Sequence, residues 1–167
     1  MATGNITRFQ DETLDVEQLK IGGVAVTATA AEINAVADVS ANNVTITAIK
    51  AVSAAENGTT FFINNATGFA TTLPAPAAGL RYTFISKLSN TSGNHTIVTT
   101  SSANIIKGFA TNAAGALVTP LSDGDTISFV ANQSVAGDQV TVVSDGTSWF
   151  MSGFAQVAAG ITNTKAT

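Results

Sequence analysis

The stretch Gly58–Ser86, GTTFFINNATGFATTLPAPAAGLRYTFIS, decides how the fold is read. Thr59–Ile63 is aromatic and β-branched, a composition that suits a pleated, half-buried surface. Asn64-Asn65-Ala66-Thr67-Gly68 follows, and because Asn and Gly tolerate positive φ the chain is expected to turn there. Phe69–Leu73 reads as a second short strand. Pro74 and Pro76 stop it, since proline lacks a ladder donor and restricts the residue before it. Gly79 closes the loop, and Leu80–Ser86 returns as a strand. Its alternation sets Leu80, Tyr82 and Phe84 on one face and Arg81, Thr83 and Ile85 on the other. Both faces carry apolar residues, so each is expected to be partly covered, by a second sheet or by a neighbouring subunit.

Outward from this stretch the pattern stays β. Val44 and Ile46 alternate with Thr45 and Thr47 ahead of it. After it, His95–Thr100, Asn104–Phe109, Thr126–Ala131, Gln139–Ser144 and Ser148–Ser152 read as strands, with a short edge piece at Ala116–Thr119 before Pro120. Asp123-Gly124-Asp125 reads as a hairpin turn, and Asp145-Gly146 as a two-residue hairpin connection. Short strands punctuated by Gly, Asn, Asp and Pro predict a mainly β chain, an antiparallel β-sandwich or barrel-like domain over residues 43–155. No internal repeat is legible. Residues 156–167 are small and polar and read as a loose tail.

Residues 1–42 read as an N-terminal extended arm and one short helix. Asp11, Glu12, Asp15 and Glu17 make the arm acidic against Arg8 and Lys20. Phe9, Leu14, Val16, Leu19 and Ile21 are spaced too irregularly for a helix or strand of their own, and read as anchors that dock on a partner. Gly22-Gly23 supplies a tight turn. Thr27–Asp38 is the helix candidate: Thr29-Ala30-Ala31-Glu32 has capping-box spacing, and Ile33 and Val36 share one side. A helix that short needs packing, within the subunit or across an interface.

Composition narrows the function. Charged residues make up 11% of the 167, against about 25% in a typical domain. A surface that poor in charge is one that other chains cover, which implies an oligomer or a large assembly. The formal net charge is −4 with no basic patch, which argues against nucleic-acid binding. No apolar run approaches the ~20 residues of a membrane helix, so no membrane role is expected. Cysteine is absent, so no disulfide framework, thiol nucleophile or thiolate metal site is available. MATGNITRFQDETLD lacks the apolar core of a secretory signal, which places folding in a cytoplasm.

Chemistry-bearing constellations are missing. Asp123-Gly124-Asp125 lacks the further acidic positions of a calcium loop. His95, the single histidine, has no partner at zinc or triad spacing and reads as structural. No Ser or Thr sits in a Gly-x-Ser-x-Gly elbow, and no carboxylate pair stands out. Trp149-Phe150, Phe61, Phe62, Phe69, Tyr82 and Phe84 read as core aromatics, with a sugar-stacking platform as the alternative. The residues thus point to no enzyme, no cofactor and no metal.

Three stretches carry a family resemblance. Ile21–Val36, IGGVAVTATAAEINAV, resembles a phrase common in virion proteins of tailed bacteriophages, where it precedes a β domain. Leu73–Ile85, LPAPAAGLRYTFI, and Asp145–Phe154, DGTSWFMSGF, resemble two hairpins of small phage structural proteins. Capsid decoration proteins and tail fibres share these phrases. A chain with an arm, one β domain and a tail, without coiled-coil or β-helical repeats, fits the former. The resemblance implies a decoration (cement) protein that sits on the outer capsid surface, made in the host cytoplasm. It would form homotrimers and stabilise the lattice of the major capsid protein. Phe9, Leu14, Val16, Leu19, Ile21, Ile33 and Val36 are then the candidate capsid or subunit contacts. The alternative it leaves open is a tail-fibre or tail-tip domain that binds host surface glycan.

Overall fold

The computed structural model describes residues 20–29, 31–33, 39–115 and 117–166. The chain divides into two compact units, Met1–Asp38 and Val39–Thr167. In the first, β1 (Lys20–Ile21) and β2 (Val24–Ala25) form a minimal antiparallel ladder. Residues 31–33 are helical. The expected capping box is formed: the Glu32 N–H donates to Thr29 Oγ1 at 3.2 Å, and the Thr29 N–H donates to Glu32 Oε2 at 2.7 Å. These bonds hold the Glu32 carboxyl below the usual carboxylate range, the backbone bond first.

The second unit is mainly β and built from two sheets. Its strands are β3 (Asn43–Ile46), β4 (Lys50–Ala51), β5 (Thr60–Ile63), β6 (Ala70–Thr72), β7 (Arg81–Ser86), β8 (His95–Val98), β9 (Ile106–Asn112), β10 (Leu117–Gly124), β11 (Thr126–Phe129), β12 (Gln139–Ser144), β13 (Trp149–Ala155) and β14 (Ile161–Thr164). The larger sheet has the order β10-β9-β13-β12-β7-β5-β3, and the smaller the order β14-β11-β8-β6-β4. Period-two alternation turns one face of each sheet inward. Phe61, Tyr82, Phe84, Val140, Val142, Trp149 and Met151 from the larger sheet share one core with Ile97, Ile127, Phe129 and Ile161 from the smaller. This is the expected sandwich. Phe61 and Phe84 stack with centroids 5.3 Å apart, Tyr82 and Trp149 lie 5.8 Å apart, and the Tyr82 hydroxyl donates to Ser53 O at 3.0 Å.

The sheets are mixed rather than antiparallel. From β3 to β8 successive strands alternate between the two sheets, and each stacks parallel on its predecessor in the same sheet. Asn43, Thr60 and Thr83 align in one sheet, steps of 17 and 23 residues; Lys50 and Thr71 align in the other, a step of 21. The chain therefore makes three stacked coils before antiparallel pairing takes over. Unequal coil lengths conceal this repeat from the sequence.

Several boundaries differ from expectation. The strand expected to stop before Pro120 runs through it to Gly124, along the edge of the larger sheet with register shifts on both sides of Leu121. An edge strand with bulges is where proline's missing donor is tolerated. Asp123-Gly124-Asp125 is not a hairpin turn but a corner, where the chain leaves the larger sheet at β10 and enters the smaller at β11. The β12–β13 connection is a four-residue loop, because Ser144 pairs with Trp149. Asp145 Oδ1 organises it by accepting from the Ser148 N–H, the Thr147 N–H and the Thr147 hydroxyl at 2.7–2.9 Å. Those donors, the Ser148 N–H first, hold the Asp145 carboxyl below its ordinary range. The loose tail is also overturned. β14 pairs with β11 residue for residue, and Ile161 is fully buried.

Candidate functional site

Of the residues expected to make contacts, Phe9, Leu14, Val16, Leu19 and Val36 lie outside the described residues. Ile21 pairs with Val24 across the β1–β2 ladder. Ile33, one of the helical residues 31–33, is exposed. The described structure does not bring these two together into a defined patch.

Its most developed surface is the outer face of the larger sheet. Strand alternation that sends Tyr82, Phe84, Val140, Val142, Trp149 and Met151 inward must send their neighbours outward. One cross-strand row runs Lys107, Phe150, Val143, Arg81 over β9, β13, β12 and β7. The next runs Phe109, Ser152, Thr141, Thr83, Thr60, Asn43, and the third Thr111, Phe154, Gln139, Ile85, Phe62, Thr45. Phe109, Phe150, Phe154 and Val143 are 45, 46, 38 and 40% exposed. They are large apolar groups held on rigid strands rather than on loops.

The rest of this face is mostly hydroxyl and amide, with the half-buried Ile85 and Phe62 and the cations Arg81 and Lys107 among them. Thr83 and Thr141, opposite each other, share a hydroxyl hydrogen bond of 3.0 Å. Gln139, Thr141, Ser152, Gly153 and Phe154 line a shallow hollow of about 240 Å³. Arg81 and Lys107 are its charged members, and no carboxylate stands among the outward residues of these rows. Lys107 Nζ donates to Ser148 Oγ at 3.0 Å and lies 5.7 Å from the Phe150 ring centroid, in cation–π range.

Gly108 is needed to hold this arrangement. Its φ is +123°, and a Cβ there would run into the backbone carbonyl of Met151 on the paired strand. Glycine alone lets β9 lie beside β13 at that point, which sets Lys107 beside Phe150 and Phe109 beside Ser152.

Of the aromatics assigned to the core, Phe150 belongs to this surface and Phe62 is half-buried on it. The signal was present in Trp149-Phe150-Met151-Ser152-Gly153-Phe154, whose alternate residues cannot all face one way. His95 is structural, as expected. It is buried, its Nδ1 accepts from the Phe69 N–H at 3.3 Å, and its Nε2 meets Asn65 O at 2.7 Å. An acceptor at Nδ1 fixes the proton on Nε2. Burial pushes its pKa down, against the pull of the Asn65 carbonyl. Asp123 pairs with Lys165, so this carboxylate is engaged within the fold. A wider open hollow of about 570 Å³ beside Thr27, Ala28, Glu32 and Ile33 belongs to the N-terminal unit, and among the described residues no set of polar groups converges on it.

No family model, curated protein or solved structure matches the chain.

Proposed function

We propose that this chain is a structural protein of a tailed-phage virion, a decoration protein that binds the outer capsid surface and stabilises the major capsid protein lattice as a homotrimer. The observation that carries the reading is the outer face of the larger sheet, where exposed Phe109, Val143, Phe150 and Phe154 stand on rigid strands without a carboxylate among them. An aromatic, charge-depleted patch with a polar rim is what the centre of a protein interface requires. The three phage-like phrases supply the class of particle. The mechanism is mass action: a partner that binds only the assembled lattice stabilises it by its binding free energy, multiplied over many copies. Such a role needs neither a cofactor nor a catalytic group.

Copy number and location in purified virions test it. Hundreds of copies over the head, measured against the major capsid protein, support decoration. Particles that lack the protein and withstand heat and low salt as well as complete ones refute it.

A second reading, a tail-fibre or tail-tip domain that binds host glycan, is favoured by the stacked coils of β3–β8, since stacked coils are how elongated repeat proteins extend. A few copies at the tail would select it. The hydroxyl- and amide-lined hollow around Gln139, Thr141 and Ser152 would then be the site to mutate.

A further inference from the structure

The charge of this chain is partitioned. Residues 1–38 hold six carboxylates and two cations, which accounts for the whole net charge of −4, while residues 39–167 hold five of each. In the second unit most carboxylates are committed. Glu56 pairs with Lys50 and Asp123 with Lys165; Asp125 and Asp138 are buried. Asp138 accepts from the Val135 and Gln156 N–H groups. Asp145 is engaged in its own loop and lies in the field of Lys107. Arg81 and Lys107 share one row of the outer face, and neither is in an ion pair among the described residues. The acidic segment of the sequence is also its segment of isolated apolar residues: Asp11, Glu12, Asp15 and Glu17 are interleaved with Leu14, Val16 and Leu19.

We infer that the outer face of the larger sheet receives the acidic N-terminal arm of a neighbouring copy, so that the copies are tied together by exchanged arms. The spacing supports this. Arg81 and Lys107 stand three strands apart, with Val143 and Phe150 between them, a distance of about 14 Å at the usual strand spacing. An extended segment spans about 13 Å from Asp11 to Asp15. An extended chain crossing the strands along this row sets Asp11 and Asp15 each at a cation, with Thr13 between them over Val143 and Phe150 and Leu14 turned to the opposite side. Two bare sheet faces pressed together with their cationic rows in register would oppose like charges, and that arrangement is disfavoured. The inference rests on reading this face as a contact surface. It does not depend on the virion role, so it can fail while that role stands, and the reverse.

Charge reversal in the full-length chain tests it, with molar mass followed by light scattering over a concentration series at about 0.05 M and 0.5 M salt, where screening differs strongly. The wild type is expected to self-associate, more weakly at high salt. Arg81→Glu with Lys107→Glu, and separately Asp11→Lys, Glu12→Lys, Asp15→Lys and Glu17→Lys, should each weaken association by at least about tenfold at low salt. The two sets combined in one chain should restore it to within about threefold. Either single set suffices to reveal the loss if the other disturbs folding, which far-UV circular dichroism reports. A monomeric wild type, association indifferent to both reversals, or a combined chain that stays dissociated overturns the inference. So does a monomer that binds acidic polysaccharide through Arg81 and Lys107.

Discussion

Trp149 and Phe150 are adjacent in sequence and opposite in consequence, and alanine at each position separates core from contact surface. Trp149 is fully buried, packs on Tyr82, and its Nε1 has no hydrogen-bond partner among the described residues. Its truncation therefore removes packing and no hydrogen bond, and leaves a large cavity. The expected cost is about 3–5 kcal/mol. Phe150 is 46% exposed and lies beneath Lys107. Burying a whole phenylalanine is worth about 1.5–3 kcal/mol, so half-burial contributes about 1 kcal/mol. An exposed cation–π contact adds about 0.5 kcal/mol. Phe150→Ala should then cost less than about 2 kcal/mol while weakening whatever binds the outer face. Urea unfolding by far-UV circular dichroism, at concentrations low enough that association does not contribute, measures both costs. Because Trp149 is the only tryptophan, its fluorescence gives a second probe in the Phe150 variant. A Phe150→Ala cost above about 3 kcal/mol, or a Trp149→Ala cost below about 1.5 kcal/mol, would refute the assignment of faces.

Three further outcomes are expected. Ile161→Ala should destabilise by about 2–5 kcal/mol in the same unfolding assay, because Ile161 is fully buried on β14; a cost near zero would return residues 156–167 to the status of a tail. Gly108→Ala should be among the most damaging small substitutions, since a Cβ collides with the Met151 carbonyl at a φ unfavourable to L-residues, and a melting temperature equal to wild type would contradict the β9–β13 register. Burial holds the folded-state pKa of His95 below the ordinary histidine value of about 6.5, so its contribution to stability is complete above that value and is lost as pH falls through the folded-state pKa. Protonating Nδ1 also places a second donor against the Phe69 N–H. His95→Gln should lower stability at pH 7 and flatten the decline of stability between about pH 6.5 and 5; an unchanged pH slope would move the origin of acid sensitivity elsewhere.

How much of this was legible depended on whether the informative pattern was local. Thr29-x-x-Glu32 forms the capping box its spacing predicts, because that motif closes within one helical turn. Ser53-x-x-Glu56, a spacing the sequence reading does not single out, behaves alike: the Ser53 N–H donates to Glu56 Oε2 at the start of a 3-10 turn. Gln139–Ser144 was read with both boundaries correct, since β-branched alternation marks it on each side. β14 was missed for a reason visible in its inward residues. Ile161 and Asn163 are both buried, yet an asparagine at a core position breaks the apolar pattern that would reveal the strand. The parallel coils were missed because register between β3, β5 and β7 is a long-range property. Loops of different length hide it, and only backbone pairing reveals it. The outer face was misread because aromatic composition was taken for burial, although period-two alternation at Trp149–Phe154 already divided the residues between two faces.

The two ion pairs found among the described residues are informative about which surface is used. Lys50–Glu56 sits at β4, the edge of the smaller sheet, beside the end where β3 is the edge of the larger. Lys165–Asp123 sits at the other end, where Asp123 lies on edge strand β10 and Lys165 directly follows edge strand β14. Exposed pairs of this kind contribute little to stability. Their placement has a different physical effect, since charge on an edge opposes the addition of another strand. Both ends of the sandwich carry such a guard, whereas the broad outer face carries exposed phenylalanines and two cations that form no ion pair among the described residues. A particle built by stacking coil on coil would need an open edge. A particle built by covering a face needs an apolar surface with a charge preference. The residues of this chain oppose the first and provide the second, and that weighs toward the decoration reading over the fibre despite the coils the two would share.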